Sequence, residues 1–351
     1  MRRVALVAGA SGLIGRRIAA HLAARDWEVI GIARRPSSGA AQRQIAMDLT
    51  DAAESRARLA ALPEITHVFY AARYDHPEGF AESEAINTAM LRNLIDAVAA
   101  GASHPVHINL VHGTKYYGHP APVPMPVTEE SPRGAGATFY FAQEDLVRAH
   151  AGRHGSTWSI ARPHIFCDPA PDHPRSIGLV IAVLAAIQRE LGEPLFFPGS
   201  ARSFASRTQF TDLALLARAL EWMATDPRCA NQAFNVVNGD APRWRELWPE
   251  FARVLGVEPG APRAIRLADY MIDKAPVWNA IVARHRLRST PLERIALWDY
   301  GDYVFRPEWD IMSAMNKARR YGFDERVDTL AMFARVFAHY REQRIIPGGE
   351  P

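Results

Sequence analysis

Cysteine is almost absent from this chain of 351 residues. The two cysteines, Cys167 and Cys229, cannot build a disulfide framework, and neither has a second thiol at the spacing of a metal site. The thirteen histidines do not spell HExxH, and we interpret them as lacking a paired metal spacing. We therefore expect no disulfide framework and no metal ion.

Long apolar segments and long runs of one charge are also missing. The longest apolar run, residues 177–187, has eleven residues and is too short to cross a bilayer. The net charge of +3 is spread along the chain without a nucleic-acid motif, so we expect no nucleic-acid partner. Arg2, Arg3 and the apolar stretch after them resemble a signal peptide, but this stretch contains turn glycines and lacks a cleavage site. We expect a cytoplasmic protein with no membrane insertion.

Lysine is scarce as well. It occurs three times, at positions 115, 274 and 317, whereas 38 of the 41 basic residues are arginine. A GC-rich genome would explain this bias. Where surface positions have drifted to arginine, a remaining lysine more often occupies a position that needs a compact ammonium group. This argument singles out Lys115, which follows an apolar strand, as a candidate functional residue.

A glycine-rich turn between a buried strand and a helix is the most informative feature that the chain does contain. Residues 3–8 (RVALVA) predict a parallel strand, and Gly9, Gly12 and Gly15 lead into a helix over residues 13–25. Gly9 permits a tight turn, Gly12 lets backbone N–H groups approach a pyrophosphate, and Gly15 lets helix and strand pack closely. The GxxGxxG spacing in this context is typical of short-chain dehydrogenases and indicates a bound dinucleotide.

Arg34 and Arg35 follow the second predicted strand, residues 28–33, where the sequence distinguishes between dinucleotides. An acidic residue at this point would hydrogen-bond the ribose 2′-hydroxyl of NAD. Two guanidinium groups suit the 2′-phosphate of NADP instead. We therefore predict NADP(H) as the cofactor; the alternative is a solvated arginine pair at a strand end.

Alternating strand and helix patterns continue to about residue 165 and predict an α/β fold. Strands are expected at residues 45–49, 67–71, 106–111 and 158–161, and helices at residues 53–62, 80–100 and 139–154, with a proline-rich loop over residues 120–132. The short connections indicate a doubly wound parallel sheet of the Rossmann type, as in extended short-chain dehydrogenases.

Beyond residue 165 the pattern becomes mostly helical and aromatic. Helices are predicted at residues 177–191, 211–225 (capped by Thr211), 244–255, 277–285, 311–321 and 327–344, and a strand at residues 232–237. We assign residues 1–165 with about 211–240 to an NADP-binding domain. Residues from about 166 to 210 and from 241 to 351 are assigned to a smaller substrate-binding lobe. The apolar helix that begins at residue 177 is expected to line a substrate channel; the alternative is a homodimer contact.

Tyr140 and Lys115 are the candidate catalytic residues. Short-chain dehydrogenases carry a tyrosine and, four residues later on the same helix face, a lysine that favours the tyrosinate. Here the fourth residue after Tyr140 is Glu144. A carboxylate at this position would disfavour the tyrosinate and raise the pKa of Tyr140. Lys115 instead follows the preceding strand, at the carboxyl edge where ligands bind in open α/β sheets. We expect its charge to reach the pocket beside Tyr140, although either residue alone is more often a core tyrosine or a solvated lysine.

An ordered set of motifs spans nearly the whole chain. The set comprises GASGLIG from Gly9, ARRP from Ala33, NTAMLRN from Asn87, GTKYYG from Gly113, FYFAQEDL from Phe139, WSIARPHIF from Trp158, FPGS from Phe197, AFNVVNGD from Ala233, RWRELW from Arg243, APVW from Ala275 and MNKARRYGF from Met315. In these motifs and in their order, the chain resembles the progesterone 5β-reductase and iridoid synthase group, which is an atypical branch of the short-chain dehydrogenases.

The resemblance implies that Lys115 and Tyr140 form the catalytic pair and that the reaction is NADPH-dependent 1,4-reduction of an activated C=C bond. When hydride adds to the β-carbon of an enone, negative charge develops on the carbonyl oxygen, and a phenol polarised by an ammonium group stabilises it. The usual NFYY motif of the group reads Thr138-Phe139-Tyr140-Phe141 here. Without the asparagine and the second tyrosine, the substrate is defined only as a small apolar carbonyl compound.

Further contacts are assigned to the ends of the predicted strands and to the loop around residues 203–209. The cofactor is expected to contact Gly9, Ser11, Gly12, Leu13, Ile14, Gly15, Arg34, Arg35, Asp48, Leu49, Ala71, Ala72, Lys115, Tyr140, Pro163, His164 and Ile165. Asp48 and Leu49 are assigned to the adenine, although Asp48 could instead cap the following turn. Tyr117, Phe204 and Gln209 are the candidate substrate contacts. The alternative for Tyr117 is an aromatic residue of a surface loop, and the alternative for Phe204 and Gln209 is ordinary packing.

Other functions are compatible with the same fold. These are a carbonyl reductase, a nucleotide-sugar epimerase or dehydratase, and a non-catalytic regulator that senses NADP. The missing lysine four residues after Tyr140 and the Arg34-Arg35 pair weigh against an epimerase. Lys115 beside Tyr140 weighs against a regulator.

Overall fold

The computed structural model describes residues 2–36, 39–76, 82–118, 122–136 and 138–348, to which all structural statements refer. The strands are β1 (Val4–Ala8), β2 (Glu28–Ala33), β3 (Arg43–Ala46), β4 (His67–Tyr70), β5 (His107–Val111), β6 (Thr157–Pro163), β7 (Phe166–Cys167), β8 (Leu195–Phe197), β9 (Thr211–Asp212), β10 (Gln232–Val236) and β11 (Pro259–Pro262). The helices are α1 (Leu13–Ala23), α2 (Ala52–Leu59), α3 (Glu84–Gly101), α4 (Phe139–His154), α5 (Ile177–Glu190), α6 (Ala201–Ala205), α7 (Leu213–Thr225), α8 (Trp244–Leu255), α9 (Leu267–Tyr270), α10 (Ala275–His285), α11 (Leu292–Ile295), α12 (Trp298–Phe305), α13 (Asn316–Arg320) and α14 (Thr329–Glu342), with 3-10 turns at Thr114–Tyr117 and Pro227–Cys229.

One parallel sheet of seven strands confirms the predicted fold class. Its strand order is β10-β6-β5-β4-β1-β2-β3. The chain moves along the sheet in one direction from β1 to β2 and in the other from β4 to β5. The carboxyl ends of β1 and β4 therefore flank the point where the order reverses, which is where open α/β sheets bind ligands.

Helices pack along the sheet in two groups. α1 packs on α7, and the His21 ring bonds the Glu221 carboxylate between them at 2.7 Å. α2, α3 and α4 pack in sequence as the second group. Because right-handed crossovers run in opposite directions from β1 and from β4, α1 and α3 lie on opposite faces. The central strands are buried on both faces, which explains their continuous apolar sequence.

The chain divides into two compact units. Unit 1 comprises Met1–His164, Leu213–Val236 and Ala314–Asp324, and unit 2 comprises Ile165–Asp212, Val237–Ser313 and Glu325–Pro351. Residues 314–324, which the sequence analysis places in the substrate lobe, belong to unit 1. The reason is local packing, since α13 contacts β10 and the Lys317 ammonium lies 5.2 Å from the centre of the Phe234 ring.

Unit 2 has its own apolar core around α5. Residues from Ile177 to Gln188 are all buried, and α5 packs against α8, α10, α12, α14 and β8. A helix that is apolar on every side belongs in a core, so α5 is the central helix of unit 2. In the described part of the chain, no helix combines the length and apolarity needed to cross a membrane.

Several predicted elements differ from those observed. Thr211 does not cap a helix, because Thr211–Asp212 is strand β9, paired with β7, and α7 begins at Leu213. The strand predicted at residues 45–49 is Arg43–Ala46, an edge strand that pairs with β2. Residues 80 and 81 of the predicted helix lie outside the described residues, and α3 begins at Glu84, after Ser83.

Candidate active site

The glycine turn lies at the carboxyl end of β1, against the end of β4. Gly9 has a φ of +79°, and a Cβ at this position would lie 2.8 Å from the Ala71 carbonyl oxygen. A Cβ on Gly15 would collide with the Gly9 carbonyl oxygen, so α1 approaches the turn this closely only with glycine there. Among the described side chains none caps α1 at Gly12. The turn is therefore a backbone cradle at a helix amino terminus, which suits a pyrophosphate.

The residues predicted to contact the adenosine lie after β2 and β3. Arg34 and Arg35 are exposed. The Asp48 carboxylate accepts hydrogen bonds from the Thr50 N–H and hydroxyl, both at 2.9 Å. The Thr50 N–H and hydroxyl, with the charge of Arg34, lower the pKa of Asp48 against the opposing effect of burial. Asp48 thus caps the turn, which is the alternative role predicted for it. The Leu49 side chain packs in the core. A contact of either residue with the adenine stays a prediction.

Tyr140 lies in the first turn of α4, after the capping residue Thr138. Its ring stacks on His112, with ring centres 4.6 Å apart and planes inclined by 18°. A Cβ on Gly113 would lie 3.3 Å from the Tyr140 hydroxyl oxygen and 3.5 Å from the Pro163 carbonyl oxygen. The hydroxyl is therefore at the carboxyl ends of β5 and β6, and the glycine keeps the space beside it clear.

His112 is a site residue that the sequence analysis missed. It is buried, and burial together with the charge of Arg162 lowers the pKa of His112 to about 3. The imidazole is therefore neutral at physiological pH and offers Tyr140 a flat, uncharged face. The signal in the sequence was its place directly before Gly113, at the end of a buried strand.

Lys115 lies in the 3-10 turn after β5, and its immediate partner is a carboxylate. Its Nζ is 2.5 Å from Oε2 of Glu82, and the side chain of Lys115 is 39% exposed. Glu82 also pairs with Arg73, at 3.2 Å. The predicted action of Lys115 on the pocket beside Tyr140 stays a prediction.

Arg73 brings a second cation to this region, and the sequence analysis missed it too. Its guanidinium pairs with Asp75 at 2.7 Å as well as with Glu82. Burial disfavours its charge, but the negative charge that Tyr140 carries when ionised, together with Asp75 and Glu82, outweighs burial and raises the pKa of Arg73. Arg73 is thus within electrostatic reach of Tyr140. It directly follows Ala72 after β4, at the same edge of the sheet as the glycine turn.

Glu144, which takes the place of the usual lysine, is held by arginines. Its Oε1 accepts a hydrogen bond from Arg148 at 2.5 Å, and its Oε2 accepts one from Arg162 at 3.3 Å. The side chains of Glu144 and Arg162 are each only 2% exposed. The carboxylate therefore forms a buried ionic link between α4 and β6.

Tyr117 and His164 are both buried and bonded within unit 1. The Tyr117 hydroxyl donates to Asn235 Oδ1 at 2.6 Å and accepts from Arg162 at 3.1 Å, and burial raises the pKa of Tyr117 to about 12. The His164 Nδ1 lies 2.6 Å from the Thr114 hydroxyl, which joins the end of β6 to the 3-10 turn after β5. These contacts describe packing; the predicted substrate contact of Tyr117 stays a prediction.

Three of the predicted site residues, Ile165, Phe204 and Gln209, belong to unit 2. Phe204 packs on Phe197, with ring centres 5.0 Å apart. The side-chain amide of Gln209 accepts from the Ser313 N–H at 2.6 Å and donates to the Asp240 carbonyl at 3.2 Å. The Ile165 carbonyl accepts a hydrogen bond from the N–H of Thr211, the first residue of β9. Contacts of these residues with substrate or cofactor stay predictions.

Comparisons with known proteins agree with the geometry. The PRISE-like Rossmann-fold domain family matches residues 43–347. The 3-oxo-Δ(4,5)-steroid 5β-reductase of Arabidopsis thaliana is 32% identical over 98% of this chain and 93% of its own length. The (S)-8-oxocitronellyl enol synthase of Camptotheca acuminata is also 32% identical, with the same coverage.

Solved structures share the fold at low identity. A short-chain dehydrogenase/reductase superfamily protein from Agrobacterium tumefaciens, with bound NAD, has a TM-score of 0.69 at 17% identity over 98% of both chains. The UDP-glucose 4-epimerase of Thermus thermophilus, in complex with NAD, has a TM-score of 0.65 at 17% identity over 96% of this chain and 99% of its own. The resemblance inferred from the motifs is confirmed, and the chain belongs to the PRISE-like Rossmann-fold family of progesterone 5β-reductase and iridoid synthase relatives.

Proposed function

We propose that this protein is an NADPH-dependent ene-reductase that transfers hydride to the β-carbon of an activated C=C bond in a small apolar enone or enal. Family membership makes the chain an oxidoreductase of the short-chain dehydrogenase class. The observation that carries the proposal is the Tyr140 hydroxyl at the carboxyl edge of the sheet, where a Cβ on Gly113 would lie 3.3 Å from it. The 5β-reductase and enol synthase relatives support a C=C bond as the group reduced.

A nicotinamide dinucleotide fits the residues at the glycine turn. Gly9 and Gly15 keep side chains out of the cradle, and α1 presents its amino terminus to a pyrophosphate. The exposed Arg34 and Arg35 suit a 2′-phosphate and favour NADP(H). The bound NAD of the fold relatives supports a cofactor of this class. When bound, NADPH supplies the hydride.

Tyr140 is the proposed hydrogen-bond donor to the substrate oxygen. As hydride adds to the β-carbon, the C=C electrons shift toward the carbonyl and negative charge develops on its oxygen. A hydrogen bond from the Tyr140 hydroxyl stabilises that charge, and one well-placed donor of this kind lowers the barrier by roughly 3–4 kcal/mol. The enolate then takes a proton from water at its α-carbon, so a relay through a ribose-bound lysine is not required.

The cations near Tyr140 make its phenol a better donor. Positive charge close to a phenol stabilises the negative charge that its oxygen gains as it donates. Negative charge on Tyr140 raises the pKa of Arg73, and Glu82 joins Arg73 to Lys115. We assign Lys115 the second cationic role, in place of the lysine that short-chain dehydrogenases carry four residues after the tyrosine.

Carbonyl reduction and nucleotide-sugar epimerisation are supported less well. In ordinary short-chain dehydrogenases both reactions depend on the tyrosine and the lysine of one helix. In this chain Glu144 occupies the lysine position and is bound to Arg148 and Arg162. That position therefore has no ammonium to offer Tyr140.

A substrate comparison tests the proposed reaction. We expect NADPH absorbance to fall with 2-cyclohexen-1-one and with progesterone, but not with cyclohexanone. Cyclohexanone is the matched control, because it has the same ring and carbonyl but lacks the conjugated β-carbon. Consumption with cyclohexanone alone would mean carbonyl reduction. Tight NADPH binding without NADPH consumption in the presence of any of the three compounds would favour a non-catalytic regulator that senses NADP.

A double substitution tests the choice of cofactor. Arg34→Ala with Arg35→Ala is expected to weaken NADPH binding by about 10- to 100-fold, because the charge-assisted contact of this exposed arginine pair with the 2′-phosphate contributes roughly 1.5–3 kcal/mol in total. NADH binding should hardly change. Dissociation constants from nucleotide fluorescence provide the measurement, and equal losses for both nucleotides would contradict the prediction. Arg153→Ala is the control, since this exposed arginine lies at the far end of α4 from Tyr140.

A further inference from the structure

Two imidazoles and one carboxylate meet near the end of α4, within unit 1. His150 and His154 are four residues apart on α4 and so share one face of the helix. Their rings stack with centres 4.4 Å apart. Asp96 approaches from the neighbouring helix α3, with its Oδ1 3.3 Å from the Nδ1 of His150. One possible ligand atom from each of the three residues lies within 4.8 Å of the other two.

We propose that Asp96, His150 and His154 bind a divalent first-row transition-metal ion, with zinc as the preferred ion. Two histidine nitrogens and one carboxylate oxygen are a common zinc ligand set, and they leave the fourth position to water. At zinc–ligand distances of 2.0–2.2 Å, the ligand atoms of one tetrahedral ion lie roughly 3.3 Å apart. The observed separations need only modest rotations of Asp96 and His154, which are exposed and free to adjust.

The end of α4 beside the cluster favours a cation. α4 ends at His154, and the last carbonyl groups of a helix carry partial negative charge. His150 is buried and offers a fixed ligand, whereas Asp96 and His154 are open to solvent and give an ion access. His150 and His154 also line a cavity of about 230 Å³ together with His104 and Ser156. This cavity has room for a water molecule at the open fourth position of the ion.

The site is separate from the candidate active site. Tyr140 and His150 are ten residues apart on α4, which is about 15 Å along the helix axis. A bound ion would link α3 to α4 and stabilise unit 1 without entering hydride transfer. The interpretation that the histidines lack a paired metal spacing is wrong for His150 and His154. The third ligand could not be found from spacing, because Asp96 lies 54 residues before His150.

Zinc titration of the full chain tests this proposal. The protein is prepared without a histidine tag, stripped with a chelator and titrated with zinc chloride in a calorimeter. We expect one zinc ion per chain. His154→Asn and Asp96→Asn should each weaken binding by at least about tenfold, since even outer-shell partners of metal ligands contribute 10- to 100-fold. Both side chains are exposed, so the variants should keep the fold, which circular dichroism checks.

His339→Asn is the matched control. His339 also faces a carboxylate on its own helix, with its Nδ1 3.5 Å from Glu342 Oε2. This pair offers one imidazole and one carboxylate, whereas the proposed site offers two imidazoles and one carboxylate. This variant should bind zinc as the wild type does. Cobalt(II) serves as a second probe, because its visible absorption bands should appear with the wild type and fade with His154→Asn. The proposal is refuted if the wild type takes up no zinc, or if His154→Asn binds it as tightly as the wild type.

Discussion

Replacing Tyr140 with Phe is expected to lower kcat for 2-cyclohexen-1-one by about 10²- to 10³-fold, the usual effect of removing one donor to a developing oxyanion. The phenylalanine keeps the stacking on His112 and loses only the hydroxyl that lies beside Gly113. NADPH binding should stay nearly intact, because the glycine cradle is unchanged. The assay follows NADPH absorbance for turnover and nucleotide fluorescence for binding.

Tyr116→Phe is the matched control for this substitution. Tyr116 belongs to the same buried aromatic cluster as Tyr140, and its hydroxyl accepts a 3.5 Å hydrogen bond from Arg133. Loss of the Tyr116 hydroxyl should leave kcat nearly unchanged. Wild-type turnover by Tyr140→Phe would remove Tyr140 from the mechanism. Equal losses in both variants would indicate a disturbed aromatic cluster instead of a lost donor.

Replacing Glu144 with Gln is expected to lower the free energy of unfolding by about 3–5 kcal/mol, because it leaves the buried charge of Arg162 without its carboxylate. The contact with Arg148 adds little, since the side chain of that arginine is 53% exposed. Urea unfolding followed by circular dichroism measures the loss. The kcat of the folded protein should not change, because the contacts of Glu144 are structural.

Asp145→Asn is the control for Glu144→Gln, one position further along α4. Asp145 also pairs with an arginine, Arg133, at 2.5 Å, but its side chain is 62% exposed. Removing this pair should cost less than about 1 kcal/mol. A fully stable Glu144→Gln protein would contradict the stabilising role of the buried pair. A stable variant without activity would assign Glu144 to the chemistry.

Elements with strong local signals were predicted closely. α4 runs from Phe139 to His154 as predicted, because Thr138 caps its start and Gly155 ends it in a left-handed conformation. The glycine turn is equally local, since Gly9 and Gly15 are needed by the backbone geometry of one strand and the next helix. Thr211 shows the limit: its sequence is typical of a helix cap, yet pairing with β7 makes it part of a strand.

The partners of the charged site residues were out of reach of sequence reasoning. Lys115 pairs with Glu82, which lies 33 residues earlier, and Glu144 pairs with Arg162, 18 residues later on β6. Neither pair lies within a single helix or strand, so no local periodicity indicates it. Arg73 and Tyr140 lie at the same edge of the sheet because β4 and β5 are adjacent and α4 follows β5.

Residue order alone was thus enough for the strand–turn–helix at the amino terminus, the parallel sheet and the family, because these depend on short-range backbone geometry and on an ordered set of motifs. Folding was needed to show which polar side chains meet: Lys115 with Glu82, Arg73 with Glu82, and His150 with Asp96. Electrostatic contacts act over a few ångströms of space, and a parallel sheet creates such proximity between segments that are far apart in the chain.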